Sequence, residues 1–192
     1  MSDLPALAAW RHVESRQGFE VLFAHRDGDT LRFEGYTTGL QDGEPWGIRY
    51  DLVVDPGWAT RSARIAGRTR SGPHEVLLEA DEAGGWTVDG VPAPGLAGCR
   101  DVDLEASAFT NALPVRRLRL EVGARAEAPA AWVRAADLRV ERLEQTYARV
   151  PGDRAEGSEY DYAAPDLEFT ARLVYDWFGL VLDYPSIAAR VV

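Results

Sequence analysis

The chain has 192 residues, 46% hydrophobic and 27% charged, with 21 basic side chains against 31 carboxylates and a formal net charge of −10. That length suits one domain, 1–192, with a substantial core, and the repulsive field argues against a generic binder of nucleic acid or anionic membranes. A single cysteine, Cys99, excludes an intrachain disulfide, and His12, His25 and His74 lie too far apart for a metal-ligand spacing, so neither metal nor cofactor is expected.

The opening stretch MSDLPALAAW has neither a basic n-region nor a long apolar h-region, and no apolar run approaches transmembrane length. A soluble, cytoplasmic protein without stable membrane insertion is the expectation. Phe19 to Arg26 is apolar on both parities, as in a strand covered on both faces, and Asp27-Gly28-Asp29 supplies a hairpin turn. Leu31 and Phe33 then alternate with Arg32 and Glu34. After the turn Gln41-Asp42-Gly43-Glu44, the residues Trp46, Ile48, Tyr50, Leu52 and Val54 place their side chains on one face of a strand.

Asp55-Pro56-Gly57-Trp58 turns the chain into another alternating strand, where Arg61 shares parity with Ala59, Ala63 and Ile65. In a regular strand its guanidinium faces inward and needs an anionic or carbonyl partner; a bulge would instead release it to water. Val76, Leu78 and Ala80 predict a one-sided strand, Trp86 to Gly90 its return, and the Pro- and Gly-rich VPAPGLAG a loop. Further on, the run from Trp132 to Val150 changes parity, PGDRAEGS (151–158) predicts a mobile loop, and Leu167 to Trp177 alternates again. The sum is about nine to eleven short strands. An all-β or nearly all-β chain follows, a highly curved antiparallel sheet of β-roll or half-barrel type with at most short helices.

Residues 98–120, GCRDVDLEASAFTNALPVRRLRL, are where chemistry-bearing side chains crowd together. Asp101 and Asp103 share a side if the chain is extended there, which suits either a shared cation or acid/base work, or else a turn clamp with one carboxylate paired to an arginine. The clamp is favoured, because such D-x-D spacings are frequent by chance. Thr110-Asn111 ahead of Leu113-Pro114 predicts a side-chain-stabilised turn with extended geometry before the proline. Leu118, Leu120 and Val122 alternate with Arg117, Arg119 and Glu121, which places Arg116 on the apolar side; helical spacing of Val115, Leu118 and Val122 is the alternative. For Cys99 a buried, inert thiol is the commoner fate.

At these residues the chain resembles the bacterial family called putative glycolipid-binding proteins, whose G-C-x-D-V-D and T-N-x-L-P-[IV]-R-R-L patterns appear here as GCRDVD and TNALPVRRL. Trp10-Arg11, Asp55, Trp58, Arg61, Gln145-Thr146-Tyr147 and Gly179 to Pro185 also fit, while Ser107-Ala108-Phe109 and Ala112 depart from the pattern. The resemblance implies a strongly curved antiparallel β-roll similar in shape to periplasmic lipoprotein carriers, with an apolar interior for acyl chains. The leading functional reading is therefore non-catalytic binding of a lipid or glycolipid on the concave face. Trp46, Tyr50, Trp58 and Trp177 would bury the ligand, and Arg61, Arg116 or Arg117 would meet its head group. Cys99, Asp101, Asp103, Thr110, Asn111 and Pro114 would form a structural motif. The alternatives are a carbohydrate- or lipid-active enzyme using Asp101 and Asp103, or an interaction domain with a filled core; the oligomeric state is open.

Overall fold

The computed structural model describes residues 4–14, 16–41, 43–152 and 157–192. Its first half is a run of antiparallel strands: β1 (Leu7–His12), β2 (Phe19–Asp27), β3 (Thr30–Gln41), β4 (Glu44–Val54), β5 (Thr60–Thr69), β6 (Gly72–Ala80), β7 (Trp86–Val88) and β8 (Val91–Pro92). Residues 101–143 hold β9 (Asp101–Leu104), a helix α1 (Ala112–Leu118), β10 (Arg125–Glu127), β11 (Ala130–Val133) and β12 (Val140–Leu143). The remaining strands are β13 (Thr146–Val150), β14 (Ser158–Ala164), β15 (Phe169–Tyr175), β16 (Val181–Tyr184) and β17 (Ala188–Arg190). No helix of the described residues is long and apolar enough to cross a membrane.

Fourteen strands form one large antiparallel sheet in the order β10-β13-β14-β15-β16-β17-β1-β2-β3-β4-β5-β6-β7-β8. Its two ends, β10 and β8, do not pair with each other, so the sheet is not closed. The β1–β17 pairing, with Trp10 opposite Arg190, joins the two halves at the middle of the sheet. A second sheet, β12-β11-β9, is small and includes one parallel pair, Ala130 to Val133 against Asp101 to Leu104.

Alternation explains the long strands. On β4 the side chains of Trp46, Ile48, Tyr50, Leu52 and Val54 are all buried, while Arg49 between them is exposed. Burying each such side chain removes apolar surface worth about 1.5–3 kcal/mol. The large rings need room, and β3 supplies it: Gly35 pairs with Tyr50 and Gly39 with Trp46. A Cβ at Gly35 would lie 1.9 Å from the Tyr50 ring, and one at Gly39 would lie 2.1 Å from the Trp46 ring, so both rings lie across bare backbone.

The sheet curls around residues 98–120. Phe109 packs on Phe33 of β3, with ring centroids 4.6 Å apart, and is stacked on Tyr50 of β4. Two residues later, Asn111 accepts a hydrogen bond from the Tyr147 hydroxyl of β13 and another from Tyr175 of β15. Strands far apart in the sheet order thus meet one segment, which fills the interior as a plug.

Two local expectations change, and two open alternatives are decided. On β2 the buried side is Glu20 and Leu22, while Phe19 and Phe23 on the other face are exposed, so the strand is not covered on both faces. The β4–β5 register shifts so that Val53 faces Ser62 and Val54 faces Thr60. The bulge at Arg61 re-aims its side chain to Asp55, 2.7 Å away, and to the Asp81 carbonyl. Residues 112–118 are helical, with Pro114 in the first turn where no backbone N–H is required, rather than an extended approach followed by an alternating strand. VPAPGLAG contains the short strand β8 and a 3-10 turn, Pro94–Leu96. Of the predicted 151–158 loop, residues 153–156 lie outside the described residues, as does Asp42 of the predicted turn.

Candidate functional site

The plug is held by buried polar pairs. Glu20, fully buried, accepts hydrogen bonds from the Tyr50 hydroxyl at 2.6 Å, the Ser107 hydroxyl and the Ala108 amide at 2.7 Å. Burial raises its pKa, and those three donors oppose the rise. Asp101 receives a two-point clamp from Arg117, Nε to Oδ1 at 3.0 Å and Nη2 to Oδ2 at 2.5 Å. Helix α1 places Arg117 there, and the Arg119 C-cap in the left-handed region ends the helix one residue after Leu118.

Asp103 is set differently. Its carboxylate accepts from the Thr110 hydroxyl at 3.2 Å and from the Gln145 side-chain amide, with no direct cationic partner among the described residues. Burial pushes its pKa up to about 6, with Glu105 and Asp101 adding repulsion and the two hydrogen bonds opposing it. Unlike Asp101, Asp103 faces a cavity of about 280 Å³ between the plug and the second half of the large sheet.

That cavity has an aromatic wall and a polar floor. Tyr162, Phe169 and Tyr184, from β14, β15 and β16, form a triangle of mutually tilted rings with centroids 6.0 to 6.2 Å apart. Trp132 of β11 lines the cavity from the small sheet, and Leu167, 45% exposed, stands at the rim. Asp103, Glu105, Ser107 and Asn111 come from the plug. Arg16, 6% exposed, completes the lining. One guanidinium nitrogen donates to the Glu105 carbonyl at 2.7 Å, whereas its buried Nε–H has no hydrogen-bond partner among the described residues. Leaving such a donor unpaired costs about 1–3 kcal/mol.

The structure disperses the side chains that sequence placed at a ligand. Tyr50 and Trp58 are buried against the protein itself, Tyr50 on Phe109 and Trp58 on Phe33. Trp46 reaches the cavity only indirectly: the Arg16 guanidinium lies 5.8 Å over its ring. Arg61 points to Asp55, and Arg117 is engaged by Asp101. Arg116 lies 4.6 Å over the Trp58 ring and donates to the Phe178 carbonyl; with Trp177, 66% exposed, it lines a shallow groove elsewhere. Cys99 is buried, and its thiol is pushed up to about 11 by burial. Thr110 and Pro114 are buried in the plug.

Sequence reasoning missed Arg16, Glu20, Tyr162 and Tyr184. Tyr162 and Tyr184 lie in runs where alternation was ambiguous or short, and Arg16 stands outside any strand. The available signal was Glu20, a carboxylate at an inward position of β2 between residues that both looked apolar.

The family described as Putative glycolipid-binding matches residues 7–190. The chain belongs to this family. A crystal structure of a DUF1089 family protein from Pseudomonas aeruginosa is 32% identical, covers 90% of this chain and 92% of its own, and superposes with a TM-score of 0.74. A beta-barrel-like protein of domain of unknown function DUF1849 from Brucella abortus has the same kind of fold at 9% identity, with a TM-score of 0.52 over 97% of this chain and 94% of its own. No curated protein matches the chain. The GCRDVD and TNALPVRRL stretches of this member contribute Asp103 and Asn111 to the cavity, and Asp101, Thr110 and Arg117 to the structure behind it.

Proposed function

We propose that this protein binds a lipid or glycolipid without chemical turnover, and that part of the ligand sits in the cavity between plug and sheet rather than along the whole concave face. One observation carries the reading: a cavity walled by the rings of Tyr162, Phe169 and Tyr184 whose lining also includes Arg16, Asp103 and Glu105. The family description supports the ligand class. At about 280 Å³ the cavity lies at the small end of ligand sites, too small for a whole diacyl lipid, so an acyl portion would run out past the rim at Leu167.

The enzyme alternative is weaker on geometry. Asp101 is enclosed by Arg117 and does not line the cavity, so the two aspartates do not form a pair facing a common substrate. Both Asp103 oxygens already accept hydrogen bonds from the protein, which suits a group that holds position.

Native mass spectrometry of gently purified protein, followed by solvent extraction, tests the proposal. A bound lipid or glycolipid released on extraction is the expected outcome, with Phe169→Ala protein carrying less of it. Protein that is ligand-free from several hosts and takes up neither fatty acid nor glycoside overturns it.

A further inference from the structure

The charges and size of the cavity define its ligand more narrowly, on the reading that it is a binding site. Its volume of about 280 Å³ lies at the small end of ligand sites. A space of that size suits one sugar ring rather than a chain of them. Two carboxylates line the space, Asp103 and Glu105, against one cation, Arg16. Arg16 is also under the field of a third carboxylate, the buried Glu20 behind it. An anionic ligand would therefore enter a site whose single positive charge is already outnumbered.

Hydrogen-bonding capacity points the same way. Asp103 and Glu105 keep carboxylate lone pairs beyond those taken by Thr110, Gln145 and the Ala135 amide, whereas the Ser107 hydroxyl already donates to Glu20 and the Asn111 Oδ1 already accepts from Tyr147. A hydroxyl is the neutral group that can donate to such carboxylates. The rings of Tyr162, Phe169 and Tyr184 supply an apolar wall for the C–H face of a sugar.

We infer that the cavity is a subsite for a neutral, hydroxyl-rich sugar ring, and that it selects against acidic sugars and phosphorylated head groups. The aliphatic part of the ligand contributes to affinity outside it. Selectivity then rests on Asp103, Glu105 and Arg16, and affinity on the aromatic wall.

Calorimetric and saturation-transfer NMR titrations at pH 7.5 with methyl hexosides of gluco, galacto and manno configuration, the matching methyl uronosides, inorganic phosphate and laurate test this. At least one hexoside should saturate the protein, with its uronoside at least tenfold weaker and phosphate not competing. Phe169→Ala, a half-buried change, should weaken the hexoside at least fivefold with an unchanged circular dichroism spectrum, and Asp103→Asn should narrow the gap between hexoside and uronoside. A uronoside or phosphate that binds as tightly as the hexoside overturns the inference, as does hexoside binding indifferent to Phe169→Ala. Laurate binding without any hexoside binding overturns the sugar subsite and leaves the lipid-binding reading standing. Absence of both overturns the two together.

Discussion

At Asp103 and His12, two buried groups bend the stability curve in opposite directions. The Asp103 carboxyl is raised from 3.8 to about 6 by burial, with Glu105 and Asp101 adding to the rise and Gln145 and Thr110 opposing it. The native state holds that proton more tightly than the unfolded chain, so its contribution is fully present below 3.8 and is lost as pH rises through about 6. His12 is lowered from 6.5 to about 4 by burial and the nearby Arg16 charge, so its contribution is present above 6.5 and is lost as pH falls through about 4. The two slopes partly cancel in the acid range. Asp103→Asn removes one of them, and Gln145 can turn its amide to keep a hydrogen bond. Relative to wild type, the variant should gain about 2 kcal/mol between pH 4.5 and pH 7.5, read from urea midpoints at constant m. A difference that stays constant over this range would show that Asp103 does not titrate as a buried group.

Among the elements, the β3–β4 pair shows how a glycine on one strand sets the position of a ring on the next. Gly35→Ala places a methyl group where the Tyr50 ring lies, and the ring cannot move without losing its 2.6 Å bond to Glu20, the carboxylate that also holds Ser107 and Ala108 of the plug. A loss of about 2 to 4 kcal/mol in thermal or urea unfolding is expected. Gly47→Ala on β4, where an added Cβ meets open space, should stay within about 0.5 kcal/mol. Equal effects of the two substitutions would remove the close approach as the cause. The strand face itself was legible, because Trp46, Ile48, Tyr50, Leu52 and Val54 recur with the period of a strand. Its partner was not: period 2 says which side is apolar and leaves open whether a ligand or the chain's own Phe109 covers it. Arg61 stayed between two alternatives for a related reason, since one extra residue on β5 reverses parity without marking the sequence. Thr110 to Arg117 could be read as turn, strand or helix because Pro114 fits both the start of a helix and a turn, and only the burial of Leu113 in one apolar cluster and Val115 in the other settles it.

For the molecule as a whole, an unclosed sheet of fourteen strands owes its shape to what it encloses. The first half grips the plug through Phe109 and Glu20, and the second half grips it through Asn111. The apolar interior follows the same division. One buried cluster centres on β1 to β6 and the plug, and the other on Tyr147, Tyr160, Tyr162, Tyr175 and Tyr184. The candidate cavity draws its lining from both clusters, Leu104 from the first and Leu143, Tyr162 and Tyr184 from the second, so its width depends on how firmly the second half is held to the plug. Asn111 is the side chain that ties these parts: its Oδ1 accepts from Tyr147 at 2.9 Å and its backbone oxygen from Tyr175 at 3.3 Å. Asn111→Ala leaves the Tyr147 hydroxyl buried without that acceptor, at a cost of about 1–3 kcal/mol. The cost should fall unevenly. In hydrogen exchange under native conditions, amides of β13 to β15 should lose protection while those of β3 to β5 keep theirs, and ligand affinity should fall with the loosened wall. Equal acceleration in both halves would instead mean that sheet and plug open as one unit, with the cavity walls fixed by the whole fold and not by this tie.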